Sequence, residues 1–157
     1  MNSPKTNTTA KDIVFVAIQF LILFLFIVFP NLVPFKFPKF IFWLGIILSL
    51  SGFILFLISA KTLGKSLSLY PTPSPKSELV TGGIFSYIRH PIYSSLLLFL
   101  LGISLSFAGL VKFVLFLAAL ILFSKKADYE ESRLILKYPE YEVYKKQTGK
   151  FFPKLKS

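Results

Sequence analysis

A single histidine occurs in the 157 residues, and it sits in the chemically richest stretch of the chain, Thr81 to Tyr93, TGGIFSYIRHPIY. Arg89 and His90 stand side by side, Pro91 follows and Tyr93 comes next but one, where a polar loop meets a long apolar run. A second cluster lies further on, with Glu130 and Glu131 adjacent and Tyr138, Tyr141 and Tyr144 after them. The chemistry open to these groups is charge pairing. An ionisable side chain at a membrane boundary is costly unless paired, and a bound ligand is one way to supply the partner. Adjacent residues on a helix are about 100° apart, so the two carboxylates cannot share a face. Glu130 has Lys126, Arg133 and Leu134 one turn away and Lys137 two turns away, which reads as a solvated stripe with an ordinary ion pair. Glu131 has Ala127, Leu134, Ile135 and Tyr138 at helical spacings, which puts a carboxylate on an apolar face. There it needs a cationic partner, and His90, Arg89 or a bound cationic ligand would serve.

Each residue alone has a plainer reading. His90 before Pro91 suits the start of a helix at headgroup level, and Arg89 suits a positive anchor on the cytoplasmic side. Gly82-Gly83 suits a turn. Glu131 suits a buried structural ion pair. The three tyrosines suit interfacial aromatics.

The elements that must position these groups follow from composition and its breaks. The chain is 54% hydrophobic and 17% aromatic, with a mean hydropathy of +0.69, far too apolar for an ordinary soluble domain of this size. The expected class is all-α, an integral membrane bundle of about four transmembrane helices. With no cysteine there is no disulfide, thiolate metal site or cysteine nucleophile, and one histidine excludes a multi-histidine metal centre.

Ile13 to Phe29 is apolar apart from Gln19 and reads as a first span ended by Pro30. A signal peptide would have a shorter apolar region and a small-residue cleavage site, whereas Pro30, Asn31 and more apolar residues follow here. Pro34 and Pro38 interrupt the connection, and Phe40 to Ala60 has the length for a second span. Lys61 to Arg89 is the longest polar stretch, with Pro71, Pro73 and Pro75 favouring semi-extended backbone. Pro91 suits the first turn of a third helix running to about Phe107. Ala108-Gly109 breaks it, and Leu110 to Phe123 forms the second arm of a tight hairpin that continues as an amphipathic helix from Ser124 to Lys137. Tyr138-Pro139 ends that helix, and a short one, Pro139 to about Gln147, stops near Gly149.

The formal charge of +11 is best explained by orientation and anionic headgroups rather than nucleic acid, which is not an expected partner. With four spans, fifteen of the eighteen basic residues fall on one side, in the amino terminus, the long loop and the tail. Lys36, Lys39 and Lys112 fall on the other. The positive-inside rule then expects a multi-pass protein with both termini in the cytoplasm. It also brings the Arg89-His90 segment and the tail to one face, where they can meet.

The ordered set LVTGGIFSYIRHPIY, a hairpin, Glu130-Glu131, Leu134, Tyr141, Tyr144 and Pro153 resembles the membrane methyltransferases related to isoprenylcysteine carboxyl methyltransferase and phospholipid N-methyltransferases. The resemblance covers about Leu79 to Pro153. The apolar runs make residues 1–78 an N-terminal transmembrane pair and polar loop, and the resemblance implies that residues 79–157 are a cofactor-binding region within one structural unit. The implied cofactor is S-adenosylmethionine, held by Gly83, Arg89, His90, Pro91, Tyr93, Glu130, Glu131, Tyr141 and Tyr144. Arg89, His90 and Glu131 are the implied catalytic residues, and no metal is implied. The acceptor would be a small lipid or prenyl-type molecule, methylated at the cytoplasmic membrane face. Three positions depart from the family pattern: Ser95 and Pro139 stand where glycine is common, and Lys125 or Lys126 where arginine is. A non-catalytic scaffold of the same fold and an NADPH-dependent membrane reductase relative are the alternative readings.

Overall fold

The computed structural model describes residues 8–30, 32 and 34–154. Lys5 and Lys156, both in the charge count, and Asn31 lie outside them. The described residues form five α-helices: α1 Ala10–Val28, α2 Lys39–Leu63, α3 Pro91–Phe107, α4 Leu110–Lys137 and α5 Tyr141–Gln147. Short 3-10 turns occupy Gly64–Ser66 and Gly83–Ser86. The fold is all-α, and no strand occurs among the described residues beyond isolated bridges.

Local chemistry sets the helix limits. Thr9 and Asp12 cap α1 reciprocally, with Thr9 N donating to Asp12 Oδ2 at 2.6 Å and Asp12 N to Thr9 Oγ1 at 3.3 Å. Pro91 opens α3 immediately after its N-cap, His90. The second helix runs three residues past the expected Ala60, because Lys61-Thr62-Leu63 contains no breaker before Gly64. The tail helix begins at Tyr141, later than the expected Pro139. Tyr138 is extended, as a residue before proline prefers, and the chain must turn through Pro139 and Glu140 before winding again.

Two segments are long and apolar enough to cross a membrane, Ala10–Val28 and Lys39–Ser66. Their outward faces carry large apolar side chains such as Phe24, Ile27, Phe40, Trp43, Ile47 and Ile54, all exposed, a surface suited to lipid. α3, with 17 residues, is about 25 Å long, somewhat short of a ~30 Å hydrocarbon core.

α2 and α3 pack antiparallel along a seam of small residues. A methyl group at Gly45 would strike Ser106 and the Gly102 carbonyl, and one at Gly52 would strike the backbone of Ser95 and Phe99. Such seams let helix backbones approach closely in a membrane. Ser49 Oγ and Ser106 Oγ donate across it to the carbonyls of Phe99 and Phe42, at 3.4 and 3.2 Å. α3 turns into α4 through Ala108, whose φ of 48° lies in the left-handed region.

α1 packs on α4, and its Ile22 and Phe26 join Leu97, Leu100, Ala119, Leu122 and Phe123 in the apolar core. A buried lysine stands near each end of that contact. Lys112 Nζ donates to the Phe26 carbonyl at 2.9 Å, satisfying an acceptor in the last turn of α1. Lys126 Nζ donates to Gln19 Oε1 at 2.6 Å near the other end.

The polar loop after α2 is pinned at several points. Thr72 N and Oγ1 donate to Asp12 Oδ1 at 3.0 and 2.8 Å. Lys137 Nζ donates to the Ser77 carbonyl at 2.9 Å, and the Tyr138 hydroxyl donates to the same oxygen.

Candidate functional site

The start of α3 meets the tail through main-chain pairing. Arg89 N donates to Gly149 O at 2.8 Å, His90 N to Lys150 O at 3.1 Å, and Gly149 N back to Tyr87 O at 3.1 Å. Ser94 Oγ adds a bond to Phe151 O at 2.7 Å. Residues far apart in sequence thus become one wall.

Behind that wall Glu131 is the buried hub of an ionic cluster whose Lys145 arm is exposed. Its Oε1 accepts from Arg89 Nε at 2.8 Å and lies 3.2 Å from His90 Nε2, while Oε2 pairs with Lys145 Nζ at 2.7 Å. Burial alone would raise its pKa, but the hydrogen bonds from His90, Lys145 and Arg89 outweigh it and hold the carboxyl well below the usual range. Arg89 Nη1 reaches on to the Lys145 carbonyl at 3.0 Å and to the Thr148 carbonyl, so the guanidinium ties α4 to the end of α5.

Glu130 points elsewhere. Its Oε2 accepts from the Tyr93 hydroxyl at 2.6 Å and lies 3.8 Å from His90 Nδ1. The Tyr93 ring stacks with His90 at 5.4 Å and with Phe123 at 5.2 Å. The local helical neighbours suggested a solvated ion pair for Glu130; its partner is instead a phenol from α3.

An open cavity lies at the polar end of the bundle. Arg89, His90, Pro91, Tyr93, Glu130, Tyr141 and Tyr144 line one side. The polar loop lines the other, with Tyr70, Ser77 and Glu78 among its residues, and Leu63, Ile92 and Leu134 supply apolar wall. Glu131 and Gly83 are not in the lining. Both Glu131 oxygens are taken by the ionic cluster, and Gly83, with φ of 61°, lies beside Thr62 in the turn that leads to Arg89.

The tyrosines differ in how they are held. Tyr144 donates its hydroxyl to Phe85 O at 2.6 Å, and burial pushes its pKa up to about 12, so it stays a donor. Burial, with the Glu131 and Glu130 charges adding to it, also pushes Tyr141 well above its ordinary range. The Tyr141 hydroxyl is buried and has no hydrogen-bond partner among the described residues, which is costly unless something else fills the role.

Sequence reasoning missed Lys145 and the loop residues of the cavity. Lys145 is one lysine in a basic tail and carries no local mark. The loop residues reach the site because Asp12, Lys126, Lys137 and Tyr138 hold the loop over it. The arrangement can hold a molecule with a cationic centre, facing Glu130 and aromatic rings, and an apolar portion against Ile92 and Leu134.

A family profile described as phospholipid methyltransferase matches residues 40–140. A relative named cobalt-zinc-cadmium resistance protein, from Cupriavidus metallidurans, is 34% identical over 100 residues, which is 62% of this chain and 46% of that protein. The chain thus spans about half the length of that relative.

Proposed function

The chain belongs to the phospholipid methyltransferase family, and from that premise we propose that it is a multi-pass membrane enzyme using S-adenosylmethionine to methylate a small lipid or prenyl-type acceptor at the cytoplasmic face. The observation that carries this reading is the cavity in which Glu130 and the unpartnered Tyr141 hydroxyl share a lining with apolar side chains. The cofactor fits the donor set. Glu130 and the ring of Tyr93 suit a sulfonium, and the Tyr141 hydroxyl gains a partner from any polar atom placed against it. When bound, S-adenosylmethionine supplies an electrophilic methyl group and leaves as S-adenosylhomocysteine.

The chain's own residues orient, exclude water and handle the proton. Arg89 and His90 are held rigidly because Glu131 binds both, so Glu131 acts in this reading as a positioning residue. A carboxylate acceptor needs no base. An amine acceptor must lose a proton. With His90 Nε2–H donated to Glu131, Nδ1 is the ring nitrogen free to accept it, a tautomer inferred from the bonding pattern. Holding both reactants in line can lower such a barrier by about 7–11 kcal/mol.

The relative's name refers to metal resistance. Among the described residues no group of three or more His, Cys, Asp or Glu could hold a metal ion, so metal ligation is not carried over.

Calorimetry on the purified protein in nanodiscs, titrating S-adenosylmethionine and S-adenosylhomocysteine with NADPH as control, tests the reading. Micromolar binding of the first two with no NADPH binding is expected, followed by transfer of labelled methyl to prenylcysteine or phospholipid acceptors. Binding of NADPH alone would replace it with the reductase reading, and binding of none with the scaffold reading.

A further inference from the structure

The family match begins at residue 40, so α1 stands outside it, yet α1 is linked to the cavity-lining Tyr93 through a buried side chain of α4, Lys126. Lys126 is 2% exposed. Its Nζ donates to Gln19 Oε1 of α1 at 2.6 Å and to the Leu69 carbonyl of the polar loop at 3.0 Å. It also lies 5.3 Å from the centroid of the Tyr93 ring, within reach of a cation–π interaction. Tyr93 is the residue that hands its hydroxyl to Glu130 and stacks on His90.

We propose that Lys126 is a positioning residue for the cavity, aimed by Gln19 and holding Tyr93 in one register, so that α1 is a working part of the site and more than a membrane anchor. Three observations carry this. Gln19 is the polar exception in the apolar run Ile13 to Phe29, and it is buried, so its amide is explained only by the partner it meets. Burial disfavours a cation at Lys126, while Glu130 and Asp12 act in the opposite direction. Lys112 supplies the contrast. It is also a buried lysine of α4 bonded to α1, but its ring neighbours are Phe26 and Phe107, at the far end of the bundle. The positioning of Tyr93 stands on geometry; its effect on ligand rests on the methyltransferase reading.

The test uses the full chain in nanodiscs with four variants, Lys126→Met, Gln19→Leu, the double variant and Lys112→Met, reading the melting temperature and S-adenosylhomocysteine affinity. Lys126→Met is expected to weaken binding about tenfold. The double variant removes both members of the Gln19–Lys126 bond and forfeits only the bond to the Leu69 carbonyl, so its melting temperature should recover part of the way to wild type while binding stays weak. Lys112→Met should lower the melting temperature and leave affinity within about twofold. A double variant that binds like wild type, or a Lys112→Met that binds as poorly as Lys126→Met, would overturn the proposal.

A second readout needs no ligand. With 3-fluorotyrosine at position 93, fluorine NMR should show one sharp line in wild type and Lys112→Met, and a broadened or split line in Lys126→Met and the double variant. A single sharp line in all four would also overturn the proposal. If wild type binds neither ligand, the cofactor reading fails and the fluorine spectra still decide the role of Lys126.

Discussion

Glu130 and Glu131 adjoin in sequence and face different surroundings, one a cavity wall and the other a closed ionic cluster. Replacing Glu131 with Gln leaves Arg89, His90 and Lys145 around a neutral amide, which should cost about 3–5 kcal/mol. The carboxyl pKa is depressed on folding. Its contribution is therefore fully present above its ordinary value of 4.5 and is lost as pH falls below that towards the folded value. Melting temperatures in detergent should show this loss on acidification in wild type and a lower, flatter profile in Glu131→Gln. Tyr141 predicts the opposite pattern. Tyr141→Phe removes an unsatisfied buried hydroxyl, so stability should hold or rise by about 1 kcal/mol, while affinity for the proposed cofactor should fall. A loss of stability in Tyr141→Phe would show that the hydroxyl has a partner in the free protein.

At the scale of elements, the seam and the hairpin make predictions of opposite sign. Gly102 faces Ser49 and the Gly45 carbonyl with no room for a side chain, so Gly102→Leu should separate α2 from α3 and cost more than about 3 kcal/mol, seen as a lost folded peak in size-exclusion chromatography. Ala108 adopts φ of 48°, a conformation costing an L residue about 1–2 kcal/mol. Ala108→Gly should therefore raise the unfolding free energy, read from the shift of the unfolding midpoint, by about 0.5–1 kcal/mol, the extra freedom of the unfolded glycine offsetting part of the relief. These elements were legible to different degrees. Pro30, Pro91, Gly109 and the Tyr138-Pro139 pair mark helix limits by local sterics, which any sequence displays. The spacing around Glu131 also displays its inward face. The partner of Glu130 was not legible, because Tyr93 comes from another helix while spacing reports only neighbours on the same one. The pairing of Gly149 with Tyr87 and Arg89 is main-chain bonding between distant segments, and no side-chain pattern announces it.

At the scale of the whole molecule, the skew of basic residues to one side predicts a measurable topology. The chain has no cysteine, so single cysteines report cleanly. Ser86→Cys and Ser132→Cys should react with an impermeant maleimide only from the cytoplasmic side, and Lys36→Cys only from the opposite side. The reverse pattern would overturn the orientation, and reaction of all three from one side would overturn the four-span arrangement. The small-residue seam bears on traffic as well as on packing. Where Gly45, Ser49 and Gly52 lie against the backbone of α3, two helices meet with little between them but serine hydroxyls that are already bonded across the seam. A hydrocarbon tail has no door there. On the proposed reading, an acceptor drawn from the bilayer would come to the cavity by another flank of the bundle, and that flank would decide which tail shapes can enter.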